Sequence, residues 1–437
     1  MGIILRNIVA VTDEEKAAKV IQLRIEGETI SAISAEGLPL HAGDTVIDGE
    51  GKLVIPGFVN AHTHLPMVLF RGLADDLLLR VWLEEHIWPL EKDLHPEEVY
   101  WGALFGLAEM IRGGTTTCAD MYFHTDAIGR AVEEAGVRAL LSCGIIAERL
   151  DAHGKRELKK AEEAITHWEG AANKRIRTAV SPHAIYTCGE PVWHAAIDLA
   201  RKYAVPIHTH LAESAEETKW CQENLGLRPV PALDRIGAFS APTVSDPTAS
   251  VPTLVAHCVQ VDEADIRLLA ERGVTVVHCP KSNAKLGNGI APLAAMRAAG
   301  LRVALGTDGA ATNNSLDMIE EMRMATLLEK GKEEDPTALP ARDVVEMATR
   351  DGAEALGMGA KRLAVGEPAD LVLIDLDSIR TLPAYDPLSA LVYAAHMEDV
   401  TDVIVAGRFL LKDKELLTID EERVKHEAKR IAKRYRN

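Results

Sequence analysis

The chain has 437 residues, 47% hydrophobic content and a formal net charge of −18, which suits a soluble globular protein with one large domain and a smaller one. The acidic balance argues against non-specific binding to nucleic acid or to an anionic membrane surface. No apolar run approaches the roughly 18 residues of a membrane span, no signal-peptide pattern is visible, and none of the six cysteines, Cys118, Cys143, Cys188, Cys221, Cys258 and Cys279, forms a C-x-x-C pair; they read as small buried residues of a reducing, cytoplasmic compartment.

Residues 3–10, 20–26, 29–34 and 44–48 are short β-like runs separated by Gly, Asp and charged turns. They predict a small antiparallel unit ahead of the main domain. From Val54 onward, short apolar runs alternate with amphipathic stretches of helix length, the pattern of repeated βα units around a parallel sheet. The predicted strands cover 53–60, 115–120, 138–146, 176–181, 206–210, 253–257, 274–278 and 302–307. Helical stretches between them include 96–111, 125–134, 155–169, 191–203, 262–272 and 292–299, and two more follow at 315–329 and 341–356. Such a series spread over about 250 residues matches a closed (β/α)8 TIM barrel of the α/β class. After Gly357, β character returns at 369–375 and 403–407, and 419–436 reads as a charged helix. Its terminal basic residues favour the helix dipole and lie on a solvated face.

The first barrel strand runs into Phe58-Val59-Asn60-Ala61-His62-Thr63-His64. Residues i and i+2 of a strand share a face, so His62 and His64 point the same way. A lone His-x-His is commonly two ordinary histidines, but later segments supply what a metal site needs. Barrel enzymes carry their reactive groups at the C-terminal ends of strands. His183 ends the fourth strand, His210 the fifth with Glu213 three residues on, His257 the sixth and Asp308 the eighth. His62, His64, His210 and Asp308 offer three imidazoles and a carboxylate to one divalent metal. That set suits Zn2+, with Fe, Mn or Ni as alternatives. A catalytic metal keeps a position for water and makes hydroxide available near neutral pH. Glu213 is close enough to shuttle a proton, and His257 can stabilise a developing tetrahedral centre. The chemistry is hydrolytic attack on an electrophilic carbon with acid assistance to a nitrogen.

The order His-x-His, His, His, Asp, with His210-Leu211-Ala212-Glu213, resembles the amidohydrolase superfamily over nearly the whole chain. The resemblance implies a composite β-sandwich built from both chain ends, residues 1–56 and 357–437 with the C-terminal helix, around a catalytic barrel of residues 57–356. The zinc deaminases that act on flipped bases use H-x-E with P-C-x-x-C, and the chain has neither. Within the superfamily, segments 67–76 and 79–83, together with Ile87-Trp88-Pro89-Leu90-Glu91, Ser181-Pro182-His183, Pro280-Lys281-Ser282-Asn283 and Gly306-Thr307-Asp308-Gly309-Ala310, are similar to the 5-methylthioadenosine/S-adenosylhomocysteine deaminases.

This resemblance implies a division of labour. His62, His64, His210 and Asp308 bind the metal; Glu213 protonates a ring nitrogen of adenine; His257 and Asp308 assist the hydroxide; Glu213, Asp308 and His183 touch the substrate. Glu91 accepts hydrogen bonds from the ribose hydroxyls, and Trp82 packs against the nucleoside. The implied reaction replaces the 6-amino group of an adenine nucleoside with an oxo group and releases ammonia, in an enzyme that forms homo-oligomers. One stretch departs from the pattern. Family members that handle S-adenosylhomocysteine hold its carboxylate with arginines near the third barrel strand. Here Cys143 stands in that stretch, and Arg149 and Arg156 are the candidate clamp. The 5′ group is therefore open among methylthioadenosine, S-adenosylhomocysteine, 5′-deoxyadenosine and adenosine. Two other readings compete: a cytosine, guanine or triazine-type aminohydrolase on the same scaffold, and a non-catalytic barrel protein. Glu213 disfavours triazine hydrolases that lack an acid there, the Trp82–Glu91 segment disfavours free bases, and a non-catalytic homologue should have lost a ligand or the acid.

Overall fold

The computed structural model describes residues 2–11, 18–239 and 251–435. Five strands open the chain: Ile3–Ala10 (β1), Lys19–Glu26 (β2), Thr29–Ser34 (β3), Thr45–Asp48 (β4) and Lys52–Pro56 (β5). β1 pairs antiparallel with β2, and β2 with β3. β4 and β5, however, run parallel to β1. The unit is mixed, where the sequence predicted an antiparallel one. After β3 the non-strand residues 35–44 carry the chain back along the sheet, so the next strand starts in the direction of β1.

The run expected as one strand over 53–60 is two strands in two sheets. β5 belongs to the terminal sheet, and Phe58–Thr63 (β6) opens the barrel. Gly57 lies between them, and its N–H donates to Asp370 O at 3.0 Å. A Cβ at Gly57 would stand 2.1 Å from Thr116 Cγ2. Only glycine permits that approach, and the chain changes sheets there.

The barrel continues with Thr115–Tyr122 (β7), Arg138–Ile145 (β8), Ile176–Pro182 (β9), Ile207–Leu211 (β10), Thr253–His257 (β11), Thr275–His278 (β12) and Arg302–Leu305 (β13). Each strand pairs parallel with its sequence neighbour, giving an eight-stranded sheet in sequential order. At the seam between β13 and β6, Asp308 N donates to His62 O at 3.0 Å. Every residue of β6 and β7 is buried, as expected for parallel strands covered on both faces. Val59, Ala119, Leu140, Leu254, Val277 and Ala304, from six different strands, form one interior cluster. Ala353, Leu356 and Met358 join that cluster from beyond the last strand.

The helix expected at 315–329 begins at Met318, where the Asp317 side chain caps its first N–H groups, and runs to Glu333. The helix expected over 341–356 contains a π-helical turn at Met347–Asp351. Past it come Leu371–Asp375 (β14), Val400–Val405 (β15), Arg408–Lys412 (β16) and Glu415–Leu416 (β17). β14 pairs antiparallel with both β5 and β15, so one nine-stranded sheet unites the two ends of the chain. Its strands alternate in period two. Leu371 and Leu373 pack with Leu5, Leu23 and Ile404, whereas Val372 and Ile374 face the cluster around the barrel. The final helix is Glu421–Ala432, followed by a 3-10 turn to Tyr435; Arg436 of the predicted stretch lies outside the described residues. All six cysteines are free and buried. No helix among the described residues is long and apolar enough to cross a membrane.

Candidate active site

The C-terminal ends of the barrel strands bring the sequence-predicted groups together. His62 Nε2 lies 3.7 Å from Asp308 Oδ1, and His64 Nε2 lies 3.2 Å from the same oxygen. His210 Nε2 is 3.4 Å from His64 Nε2. The ligand atoms of His62, His64 and His210 all fall within 4.8 Å of one another, as do those of His62, His257 and Asp308.

Three observations make this cluster fit a divalent cation. His62 Nε2 is buried without a hydrogen-bond partner. His64 Nδ1 faces Met121 O at 2.5 Å, and His210 Nδ1 faces His183 O at 2.8 Å. A carbonyl only accepts, so both rings carry their proton on Nδ1 and turn the Nε2 lone pair towards the centre. Asp308 is braced from the far side. Its Oδ2 accepts from Ser282 Oγ at 2.6 Å and Thr312 Oγ1 at 2.8 Å, and its Oδ1 accepts from Gly309 N at 2.7 Å. Three imidazole nitrogens and a carboxylate oxygen form the donor set of a zinc-type site.

The backbone is strained where it presents these groups. Ala212, His257 and Asp308 have φ of 50°, 76° and 61°, a left-handed conformation that costs a non-glycine residue about 1–3 kcal/mol. Each sits at or just past a strand end, and His257 and Asp308 line the cavity at the barrel mouth. The surroundings hold each turn. Glu217 is buried, and its two carboxylate oxygens accept from Ala212 N at 2.9 Å and Glu213 N at 2.8 Å. His257 Nδ1 lies 2.9 Å from Asn283 Oδ1.

Glu213 is 7% exposed. Its Oε2 lies 3.7 Å from His257 Nε2, and its Oε1 accepts from Asn288 Nδ2 at 3.2 Å. Burial raises its pKa, so it keeps a proton at higher pH than a free carboxyl group does. His183 Nδ1 lies 3.0 Å from Thr187 Oγ1, and burial brings its pKa down to about 3, which leaves the ring neutral. Glu91 closes another side. Burial pushes its carboxyl up to about 7, with the Tyr122 hydroxyl and the His64 ring pulling the other way.

One cavity is lined by His64, Glu91, His183, His210, Glu213, His257 and Asp308. Its apolar wall comes from residues 79–91, which the sequence singled out for chemistry without predicting their conformation. They form a broken helical passage: Leu79–Val81, a π-helical Trp82–Ile87 and Trp88–Glu91. Trp82 lines the cavity beside Leu83, Ile87 and Trp88. A second cavity of about 880 Å³ adjoins it, sharing Trp88, Glu91, Phe123 and Ile146, and Cys143 lines that chamber. Arg149 and Arg156 are exposed and line neither cavity.

Sequence reasoning assigned no role to Ser282, Asn283, Asn288, Thr312, Glu217 or Tyr122. For Ser282 and Asn283 the signal was present in Pro280-Lys281-Ser282-Asn283. Glu217 and Thr312 each lie four residues past a predicted site residue, one helical turn on.

The profile of the amidohydrolase family matches residues 53–410. The chain is 45% identical over 390 residues to a 5-methylthioadenosine/S-adenosylhomocysteine deaminase of Dictyoglomus thermophilum, covering 89% of each chain. It is 46% identical over 404 residues to a 5′-deoxyadenosine deaminase of Methanothermobacter thermautotrophicus, covering 92% of this chain and 91% of that one. Among solved structures, an adenosine deaminase from Xanthomonas campestris with bound zinc superposes with a TM-score of 0.91 at 35% identity, over 99% of this chain and 98% of that one.

Proposed function

The chain belongs to the amidohydrolase family, and on that premise we propose that it is a metal-dependent hydrolytic deaminase of adenine nucleosides. Its substrates are 5-methylthioadenosine, S-adenosylhomocysteine, 5′-deoxyadenosine or adenosine, and it exchanges the 6-amino group for an oxo group with release of ammonia. The observation that carries this reading is Glu213, buried with its Oε2 3.7 Å from His257 Nε2, in one cavity with Asp308 and Glu91. The names of two relatives, a methylthioadenosine/S-adenosylhomocysteine deaminase and a 5′-deoxyadenosine deaminase, support the nucleoside class.

His62, His64, His210 and Asp308 would hold the metal, most simply Zn2+, which supplies a Lewis acid and makes hydroxide available near neutral pH. The remaining work belongs to side chains. Glu213 takes a proton from the attacking water and delivers it to a ring nitrogen of adenine, so that carbon 6 accepts the oxygen. His257, held at Nδ1 by Asn283, presents Nε2 to the same region and stabilises the oxygen as charge develops. Asp308 stays ionised and receives the second proton, which leaves with the amine as ammonia. His183, neutral and held through Thr187, contacts the base. Glu91 accepts from the ribose hydroxyls, and Trp82 closes the apolar side and excludes water. Arg149 and Arg156 receive no role in this proposal. The catalytic barrel spans residues 57–356, with residues 1–56 and 357–437 as the supporting domain, in a cytoplasmic homo-oligomer.

The test is ammonia release from zinc-loaded protein over a panel of S-adenosylhomocysteine, methylthioadenosine, 5′-deoxyadenosine, adenosine, adenine, cytosine, guanine and a triazine. Turnover confined to the adenine nucleosides is expected. Turnover of free bases or of the triazine in their place would keep the metal chemistry and discard the role of Glu91. No turnover with zinc verified would refute the proposal.

A further inference from the structure

His208 takes no part in the mechanism proposed above, yet it touches the metal site. It lies two residues before His210 on β10, so both side chains share the inward face of that strand. It is fully buried. Its Nε2 lies 2.9 Å from His62 Nδ1, with the two rings crossing at 86°. Its Nδ1 is buried with no hydrogen-bond partner. If Nε2 accepts, the ring proton of His208 sits on that unpaired Nδ1; if Nε2 donates, Nδ1 is the bare acceptor.

A single hydrogen sits between two ring nitrogens this close. If His208 donates, His62 Nδ1 is the acceptor, and a neutral His62 then carries its proton on Nε2. That nitrogen would have no lone pair for a cation. If His208 accepts, His62 is protonated on Nδ1, and Nε2 turns a free lone pair towards His64, His210 and Asp308. His64 and His210 have no such choice, because the carbonyls of Met121 and His183 only accept. Of these rings, His62 is the one whose partner can play either part.

We propose that His208 is a positioning residue of the metal site, accepting at Nε2 from His62 Nδ1 and so fixing His62 in the tautomer that binds the cation. The inference rests on the metal-site reading above. The side chain of His208 acts through His62 and reaches neither the cation nor the substrate.

The test measures zinc affinity of the full chain by chelator competition, together with the unfolding midpoint of the metal-free protein. Three proteins are compared: wild type, His208→Gln and His208→Leu. Glutamine keeps a carbonyl oxygen within reach of His62 and should hold affinity within about threefold of wild type. Leucine keeps the packing and removes the acceptor, and should weaken zinc about 10- to 100-fold, the usual effect of losing the partner of a ligating histidine. Loss with leucine and rescue with glutamine, at unchanged metal-free stability, is the expected result. Equal affinity in all three proteins would overturn the inference, as would equal loss in both variants. Should the leucine variant not fold, His208→Asn carries the same test, because its amide stands near the Nδ1 position and falls short of His62. Failure of wild type to bind zinc would bring down the metal-site reading and this inference together. Normal binding by wild type with no effect in the variants would remove only the inference.

Discussion

Replacing Glu213 with glutamine isolates the proton from everything else that residue does. The glutamine carbonyl can still accept from Asn288 Nδ2, which stands 3.2 Å from Glu213 Oε1. The bond that Glu213 makes to Glu217 uses its backbone N–H and is untouched. Glu213 is not one of the four groups assigned to the metal, so zinc content should equal that of wild type. What disappears is an acid that can take and return a proton. A positioned acid or base contributes about 10²–10⁴-fold, or about 2.7–5.5 kcal/mol of transition-state stabilisation at 1.36 kcal/mol per tenfold. Glu213 handles a proton both at attack and at the ring nitrogen, which places the expected loss in kcat/KM at the upper end, about 10⁴-fold. The assay is ammonia release from methylthioadenosine, with zinc measured on the same sample. A variant with full zinc and kcat/KM within about tenfold of wild type would refute the acid/base role. A variant that lost its zinc would show that Glu213 belongs to the metal set.

Other perturbations test the surrounding parts. Glu91→Ala removes a charged acceptor from the ribose hydroxyls and should cost nucleosides about 1.5–3 kcal/mol while leaving free adenine unchanged; equal effects on KM for both would refute the contact. Because burial pushes the Glu91 carboxyl up to about 7, it is protonated below that pH and ionised above it. Only the ionised form accepts from both hydroxyls, so nucleoside KM should fall as pH rises from about 6 to 8, and Glu91→Gln should flatten that dependence. Glu217→Gln leaves one of the N–H groups of Ala212 and Glu213 without an acceptor, at a cost of about 1–3 kcal/mol in stability. It should also lower kcat, because the strained turn at Ala212 aims Glu213; urea midpoint and ammonia release check the two effects. Gly57→Ala would drive a Cβ to 2.1 Å from the buried Thr116 Cγ2 and should destabilise by about 1–3 kcal/mol, read from the urea midpoint.

The barrel was legible because parallel strands covered on both faces read as unbroken apolar runs. A histidine or aspartate that ends such a run stands out, and His62, His210, His257 and Asp308 were found this way. Two expectations failed. The run over 53–60 was expected as one strand although Pro56-Gly57 interrupts it, and that break is where the chain passes from one sheet to the other. The terminal strands have antiparallel-looking turns between them, but the direction in which β4 meets β1 depends on the path of residues 35–44.

By itself the sequence determined which residues are available and that His62 and His64 share one face of their strand. Only the tertiary structure decided what each of those side chains meets. Ser282 braces Asp308 from 26 residues away, and His208 meets His62 across 146 residues. Glu217 caps the backbone that carries Glu213. The His208–His62 contact joins β10 to β6 across the closed barrel, and Ser282 reaches Asp308 from the helix Pro280–Lys285 that follows β12; spacing along the chain carries no information about either approach.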